Sequence, residues 1–376
     1  MAAMQLPEQF HSRTGKFYMP KRLVCTAHDT VTWEDYELPA TLDAGQIRVR
    51  NTHGAEKHGT KMSFVHGHGN KRGSWDSAKQ MFTPGGVAWS YPIPLGNMQV
   101  GVVEEIGRGV QNYKPGDRIL YFGAFAPTAL ITEEETWKLA PDTSWKAATC
   151  LDPATFALCA LRDGNARIGD SVAIFSLGAI GLMAVQLAKL AGCHPIVAID
   201  PIPNRREAAL KSGADLGVDP VNSDAGQLLR EATGWRGMDV VIEYSGAREA
   251  LQAALRGVAF GGNVVLGAFP DPMKAGLDLG AEAHMNRPNI MFSRTESDPN
   301  REHPRWDNVR VRSTVHSMIL RGLINADFIV TPVLKFGDAL AAEYDQVLAS
   351  PDKNIKLGVE YQCSDLKGIA SFTPFS

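Results

Sequence analysis

The stretch from Ser171 to Asp200 constrains this chain more than any other. It reads SVAIFSLGAIGLMAVQLAKLAGCHPIVAID. Val172-Ala173-Ile174-Phe175 is short, apolar and partly β-branched, like a strand buried on both faces of a parallel sheet. Ser176-Leu177-Gly178-Ala179-Ile180-Gly181 follows, and then an apolar-rich helical segment to about Ala191. A second apolar run, Ile196-Val197-Ala198-Ile199, ends on Asp200. Strand, glycine turn, helix, strand and acid thus occupy one unit of about 30 residues.

That order has a physical meaning. Gly178 lets the backbone approach a pyrophosphate, and Gly181 lets the helix pack closely on the strand. The helix N-terminus offers free N–H groups and partial positive charge to phosphates. Asp200, about 20 residues beyond Gly181, suits a carboxylate that accepts hydrogen bonds from an adenosine ribose. It would repel a 2′-phosphate, which favours NAD over NADP. Ser176 stands where the pattern has its first glycine. The plain alternative is a βαβ unit that holds no nucleotide.

A chain of 376 residues suits two domains. With 44% hydrophobic and 21% charged residues it reads as an ordinary globular protein. A net charge of −3 gives no reason to expect nucleic acid or an anionic membrane as partner. No apolar run approaches the ~20 residues of a membrane span. The first residues lack the apolar core of a signal peptide. The cysteines, Cys25, Cys150, Cys159, Cys193 and Cys363, are scattered and odd in number. That pattern suits reduced thiols and a cytoplasmic location.

From Lys21 to about Pro141 the text is strand-like and rich in turns. Gln46 to Arg50 alternates polar and apolar residues, with Asn51 as its boundary. Met98 to Ile106 is a second strand, and Lys114-Pro115-Gly116-Asp117-Arg118 turns into Ile119-Leu120. From about Phe156, strands alternate with helices: Val172–Phe175, Ile196–Ile199, Val240–Ile242 and Asn263–Leu266. This alternation predicts a parallel α/β sheet with right-handed crossovers. After about Asn325 come Phe328 to Pro332, a helical Asp338 to Leu348 and a last strand, Lys356 to Glu360.

The chain resembles the medium-chain dehydrogenase/reductase superfamily along nearly its whole length. The likeness rests on Gly59-Thr60-Lys61, Leu95-Gly96, Val100 to Gly107 and Lys114 to Arg118. It continues through the nucleotide unit, Asp239 to Glu243 and Gly261 to Val265. The resemblance implies a Rossmann domain over 158–325 and a GroES-like β-barrel catalytic domain over 1–157 and 326–376. It also implies homodimers or homotetramers. Asp152-Pro153 resembles the start of a segment in the polyol branch.

The departures from the family pattern are equally informative. The family's catalytic zinc uses a Cys, a His-Glu pair after Leu-Gly, and a Cys or Glu at the domain junction. Here His58, Asn97-Met98 and Asp152 occupy those places, and Lys61 replaces an acid. A neutral amide, a thioether and an ammonium are poor company for zinc. No cysteine lies between Arg118 and Trp137, where the family carries a structural zinc. No zinc is therefore expected at either place. A rebuilt site of His58, His66, His68 and Asp152 is the alternative.

Without zinc, other groups must manage the charge of hydride transfer. Lys61 can stabilise a developing alkoxide or, with a lowered pKa, act as general base. His58 is the other acid/base candidate. Thr60 matches the family position whose hydroxyl touches the substrate oxygen. Asn97 can hydrogen-bond substrate, and Asp152 can orient Lys61 or His58. Each has a structural alternative. Lys61 would be a surface lysine, His58 would bond a carbonyl, Asn97 would be a turn residue, and Asp152 would cap a helix before Pro153.

The loop between Ser63 and Gly96 holds His66, His68, Arg72, Trp75, Phe82, Trp89, Tyr91 and Gly85-Gly86. Aromatic and polar groups together suit a sugar or cyclitol; local packing or a subunit contact is the alternative. Arg294 to Arg312 is a second polar stretch of that kind. Arg205 matches a family position beside the adenine.

These features point to an NAD-dependent, zinc-independent oxidoreductase. Its substrate would be a small polyhydroxylated molecule: a polyol, sugar or cyclitol with a secondary alcohol. The alternatives are an NAD(P)H-dependent reductase of activated carbonyls or alkenes, and a nucleotide-binding protein without catalysis.

Overall fold

The computed structural model describes residues 19–67, 72–85, 89–270, 272–295 and 302–362, with only the backbone at His58, Thr60, Met62, Glu135 and Leu348. In chain order the first elements are β1 (Lys21–Ala27), β2 (Thr30–Asp35), β3 (Gln46–Ala55), α1 (His58–Val65), β4 (Ser74–Asp76), β5 (Met81–Thr83), β6 (Ile93–Pro94), β7 (Met98–Ile106), β8 (Arg118–Phe122), β9 (Thr128–Thr132) and β10 (Thr136–Leu139). Then come α2 (Trp145–Ala148), α3 (Leu151–Asp163), β11 (Val172–Phe175), α4 (Ala179–Leu190), β12 (Ile196–Ile199), α5 (Pro203–Lys211), β13 (Leu216–Val218), α6 (Ala225–Glu231), β14 (Met238–Glu243), α7 (Arg248–Gly257) and β15 (Val258–Leu266). The last are α8 (Glu282–Asn286), β16 (Asn289–Phe292), α9 (Asn308–Leu320), β17 (Val330–Lys335), α10 (Leu340–Leu348) and β18 (Lys356–Glu360).

The chain divides into two compact units. One holds the described residues up to Leu139, together with Val333–Ala349 and those from Leu357 onward. The other holds Ala140–Pro332 and Ser350–Lys356.

The second unit is built on a six-stranded sheet in the order β13-β12-β11-β14-β15-β16. All its pairings are parallel. The order reverses between β11 and β14, as in a doubly wound dinucleotide-binding sheet. β11 and β12 are buried at every residue, which explains their continuous apolar text. Phe175, Val197, Leu229, Leu255 and Val264 share one core cluster between sheet and helices. β15 starts at Val258, earlier than the apolar run suggested, because Val258 pairs with Met238 ahead of an irregularity in register.

The first unit is mainly antiparallel. Its largest sheet runs β10-β8-β7-β3-β18-β17, with β9 also pairing β3. Expected as a boundary, Asn51 instead lies inside β3, which continues to Ala55. Its buried amide is satisfied at both ends. Nδ2 donates to Ala126 O at 2.7 Å, and Oδ1 accepts from Tyr121 Oη at 2.7 Å. Those partners are distant in sequence, so local pattern could not reveal them. A second cluster packs Leu23, Phe125, Phe336, Tyr344 and Leu357. The stretch after Ser63 is less loop-like than expected. It holds the end of α1, the β4–β5 hairpin and β6.

No helix among the described residues is long and apolar enough to cross a membrane. The described cysteines are all free thiols, and Cys363 lies outside the described residues. Burial pushes the thiols of Cys150, Cys159 and Cys193 up to about 11, so they stay protonated near neutrality.

Leu229 is fully buried between α6 and the sheet. Leu229→Ala is expected to cost about 2–5 kcal/mol. Urea unfolding would show it as a lower midpoint with the same slope.

Candidate active site

The turn after β11 is shaped by one close approach. A Cβ added to Gly181 would lie 2.0 Å from the carbonyl oxygen of Ser176. Only glycine lets α4 settle there. Ser176 itself has φ +72°, the left-handed region that favours glycine. Asp200 fastens the turn from the end of β12. Its Oδ2 accepts from Leu177 N at 2.7 Å, and its Oδ1 accepts from Ile202 N at 2.9 Å. The guanidinium of Arg205 stands 3.8 Å from the same carboxylate.

Gly178 is the N-cap of α4 and makes no side-chain cap bond. The first N–H groups of Ala179, Ile180 and Gly181 thus begin a helix of 12 residues without an internal cap. A Cβ at Gly178 would meet nothing within 4 Å. Open space before a helix N-terminus, with a carboxylate at the next strand end, fits a dinucleotide.

In the first unit, α1 carries His58, Thr60 and Lys61. The side chains of His58 and Thr60 lie outside the described residues, and so does His68. Lys61 is partly buried, and its Nζ donates to Pro94 O at 2.6 Å. Desolvation holds its pKa below the usual lysine range, against the opposing pull of Glu56 and with a further push from Lys57. Asn97 forms the turn into β7. Its N donates to Ala55 O at 3.1 Å, and its O accepts from Gly123 N at 2.9 Å. These bonds hold the Gly96-Asn97 turn against the end of β3.

Glu56 is the residue that sequence reasoning missed. It is fully buried. Its Oε2 accepts from Gly96 N at 2.7 Å and from Tyr344 Oη at 3.0 Å. Its Oε1 accepts from Lys57 N at 2.7 Å. The available signal was an acid directly after the apolar-and-small end of a strand.

Asp152 belongs to the second unit, whereas Lys61, His58, Thr60 and Asn97 belong to the first. Asp152 does not cap its helix. α3 starts at Leu151 with Cys150 as N-cap, so Asp152 and Pro153 fall inside the first turn. Proline is tolerated there because the first four N–H groups have no helical partner. Asp152 and Lys356 both act electrostatically on the thiol of Cys150, and both are buried. Nothing in the sequence singled out Lys356.

A zinc ion does not fit the described donors. Met98 is buried in β7, Asn97 offers a neutral amide, and Lys61 brings an ammonium to the same corner. His66 is held by Asp29, with Nδ1 2.6 Å from Oδ1. Among the described residues no three His, Cys, Asp or Glu side chains stand together to hold a metal.

Known proteins share this architecture. Residues 179–305 match the family of zinc-binding dehydrogenases. A D-guloside 3-dehydrogenase of Escherichia coli K12 is 38% identical over 91% of this chain and 100% of its own length. Among solved structures, 2R,3R-butanediol dehydrogenase of Bacillus subtilis superposes with a TM-score of 0.74 at 22% identity, over 91% of this chain and 99% of that one. Galactitol-1-phosphate dehydrogenase of Escherichia coli gives 0.73 at 17% identity, over 90% and 99%. The chain belongs to the zinc-type medium-chain dehydrogenase family.

Gly181→Ala should force the turn away from α4; if that turn cradles a dinucleotide, NADH binding should weaken at least about tenfold. A fluorescence titration with NADH measures this. An unchanged Kd would show that the turn does not hold the dinucleotide.

Proposed function

We propose that the chain is an NAD-dependent dehydrogenase that oxidises a secondary hydroxyl of a polyol, sugar or cyclitol without zinc. One observation carries the zinc-free part of this reading. A partly buried lysine with a lowered pKa stands by the Gly96-Asn97 turn, where the family pattern has its metal ligands. The substrate class is supported by the relative named D-guloside 3-dehydrogenase, since a guloside carries ring secondary hydroxyls.

The dinucleotide is held by Ser176, Leu177, Gly178, Ala179, Ile180 and Gly181, with Asp200 at the ribose and Arg205 beside the adenine. A nicotinamide held there would supply the acceptor for the hydride of the substrate carbon. The hydroxyl proton needs a separate acceptor, and the free amine of Lys61 supplies it. An NH2 group can keep donating to Pro94 O while its lone pair takes the proton. His58 and Thr60 are the further acid/base and relay candidates on the same helix by the family resemblance, and Asn97 is the candidate to hydrogen-bond the substrate oxygen.

The preference for NAD rests on charge. Asp200 would repel a 2′-phosphate, and the nearby guanidinium groups are already engaged. Arg205 donates to Pro351 O at 3.3 Å, and Arg206 donates to Asp200 O at 2.7 Å and stands 3.5 Å from Asp219. Asp200→Ala is expected to raise the KM for NAD about tenfold and to narrow the preference over NADP.

Lys61→Ala should lower kcat by on the order of 10²–10⁴-fold with NAD affinity little changed. The oxidation rate should rise with pH, because the base must be a free amine. The midpoint of that rise is expected below the ordinary lysine value of 10.5, since desolvation disfavours the ammonium. Lys61→Arg should abolish the rise, since a guanidinium does not deprotonate. Full activity in Lys61→Ala would refute the acid/base assignment. Elemental mass spectrometry with activity before and after chelation tests the metal. Stoichiometric metal, or activity lost to chelator, would overturn zinc independence.

A further inference from the structure

Glu56 is a buried carboxylate that the proposed proton transfer does not use. Three hydrogen-bond donors meet its carboxylate: Gly96 N, Lys57 N and Tyr344 Oη. These donors come from three separated segments. Gly96 begins the turn that presents Asn97. Lys57 directly precedes α1, the helix of Lys61. Tyr344 lies on α10, in the core of the first unit. The backbone around Glu56 is tied as well, with Glu56 N donating to Leu357 O at 2.9 Å. One side chain therefore spans the two segments that carry the catalytic candidates and anchors both to the core.

We infer that Glu56 is a positioning residue: its carboxylate fixes the Asn97 turn relative to α1, the helix that carries Lys61. The inference rests on Lys61 being the proton acceptor. Burial and two charged groups act on the Lys61 ammonium. Burial and Lys57 disfavour it, and Glu56 favours it. Pro94 O accepts its hydrogen bond. Tyr344, which donates to Glu56, is itself acted on by Cys25 and Asp345. Among these charged groups Glu56 is the one that opposes burial.

Glutamine at this position cannot copy the arrangement. Its amide nitrogen would face either Gly96 N or Lys57 N, donor against donor. Neutralisation also removes the charge that favours the ammonium. The two effects read out differently. The lost tie lowers kcat, and the lost charge moves the pH dependence.

The test compares Glu56→Gln, Glu56→Asp and Lys61→Ala in the full chain, with NAD and a panel of polyols, sugars and cyclitols. Glu56→Gln is expected to lower kcat about tenfold to a hundredfold while KM for NAD stays within about twofold. The midpoint of the rise of kcat with pH should fall by about one pH unit, because Lys61 loses its favourable partner. Glu56→Asp keeps the charge and shortens the reach. It should lower kcat by a similar factor and leave the midpoint in place. A purely structural Glu56 would change stability without moving the midpoint. A folded Glu56→Gln enzyme with unchanged kcat and midpoint overturns the inference. Where Glu56→Gln does not fold, Glu56→Asp with wild-type kcat overturns it. Full activity in Lys61→Ala refutes the acid/base reading itself. Inactive Lys61→Ala beside unchanged Glu56 variants refutes only the role given to Glu56.

Discussion

The contact between Gly181 and the Ser176 carbonyl is the constraint on which the second unit depends. A Cβ there would sit 2.0 Å from that oxygen, so glycine is what lets α4 lie against β11. With the helix in place, its uncapped N–H groups face open space before Gly178. Asp200 then bonds Leu177 N and joins the ends of β11 and β12 into one rim. The parallel ladders of β11 with β12 and β14 put this rim at the carboxyl ends of the strands, where the strand order reverses. A left-handed Ser176 is tolerated because the flanking backbone is fixed on both sides.

The first unit relies on a different kind of restraint. Its candidate groups sit at the end of a strand, on a helix of 8 residues and at a turn, none of them rigid alone. Buried polar bonds take over the task. The carboxylate of Glu56 gathers Gly96, Lys57 and Tyr344, and Asn51 gathers Ala126 and Tyr121. Such groups hold position because leaving them unpaired in the interior is costly, about 1–3 kcal/mol for each orphaned group. In much of the family a metal ion organises this corner, as the resemblance implies. Here the described donors do not suit one, and hydrogen bonds to a buried acid connect the same segments.

Legibility followed the range of the interactions. Val172–Phe175, Ile196–Ile199, Met98–Ile106 and Lys356–Glu360 were readable to the residue, because burial on both faces or strict alternation leaves a local trace. Asn51 was misread as a boundary because its partners lie some 70 residues away in the chain. The alternative of Asp152 as a helix cap fails because α3 starts one residue earlier, and Pro153 is equally at home anywhere in a first helical turn. His66 entered only through the alternative of a rebuilt metal site, and its ring lies against Asp29. Glu56 and Lys356 drew no attention, since a charged residue in text is presumed solvated until its burial is known.

The sequence by itself determined the fold class, the family resemblance and the glycine turn between β11 and α4. Each follows from residue chemistry and short spacing. Only the tertiary structure decided which acid is buried against the Asn97 turn, which carbonyl receives the Lys61 ammonium and which charges move its proton affinity. Those answers depend on contacts between segments as distant as Glu56 and Tyr344. Desolvation and hydrogen bonding act through space, and no local pattern encodes them.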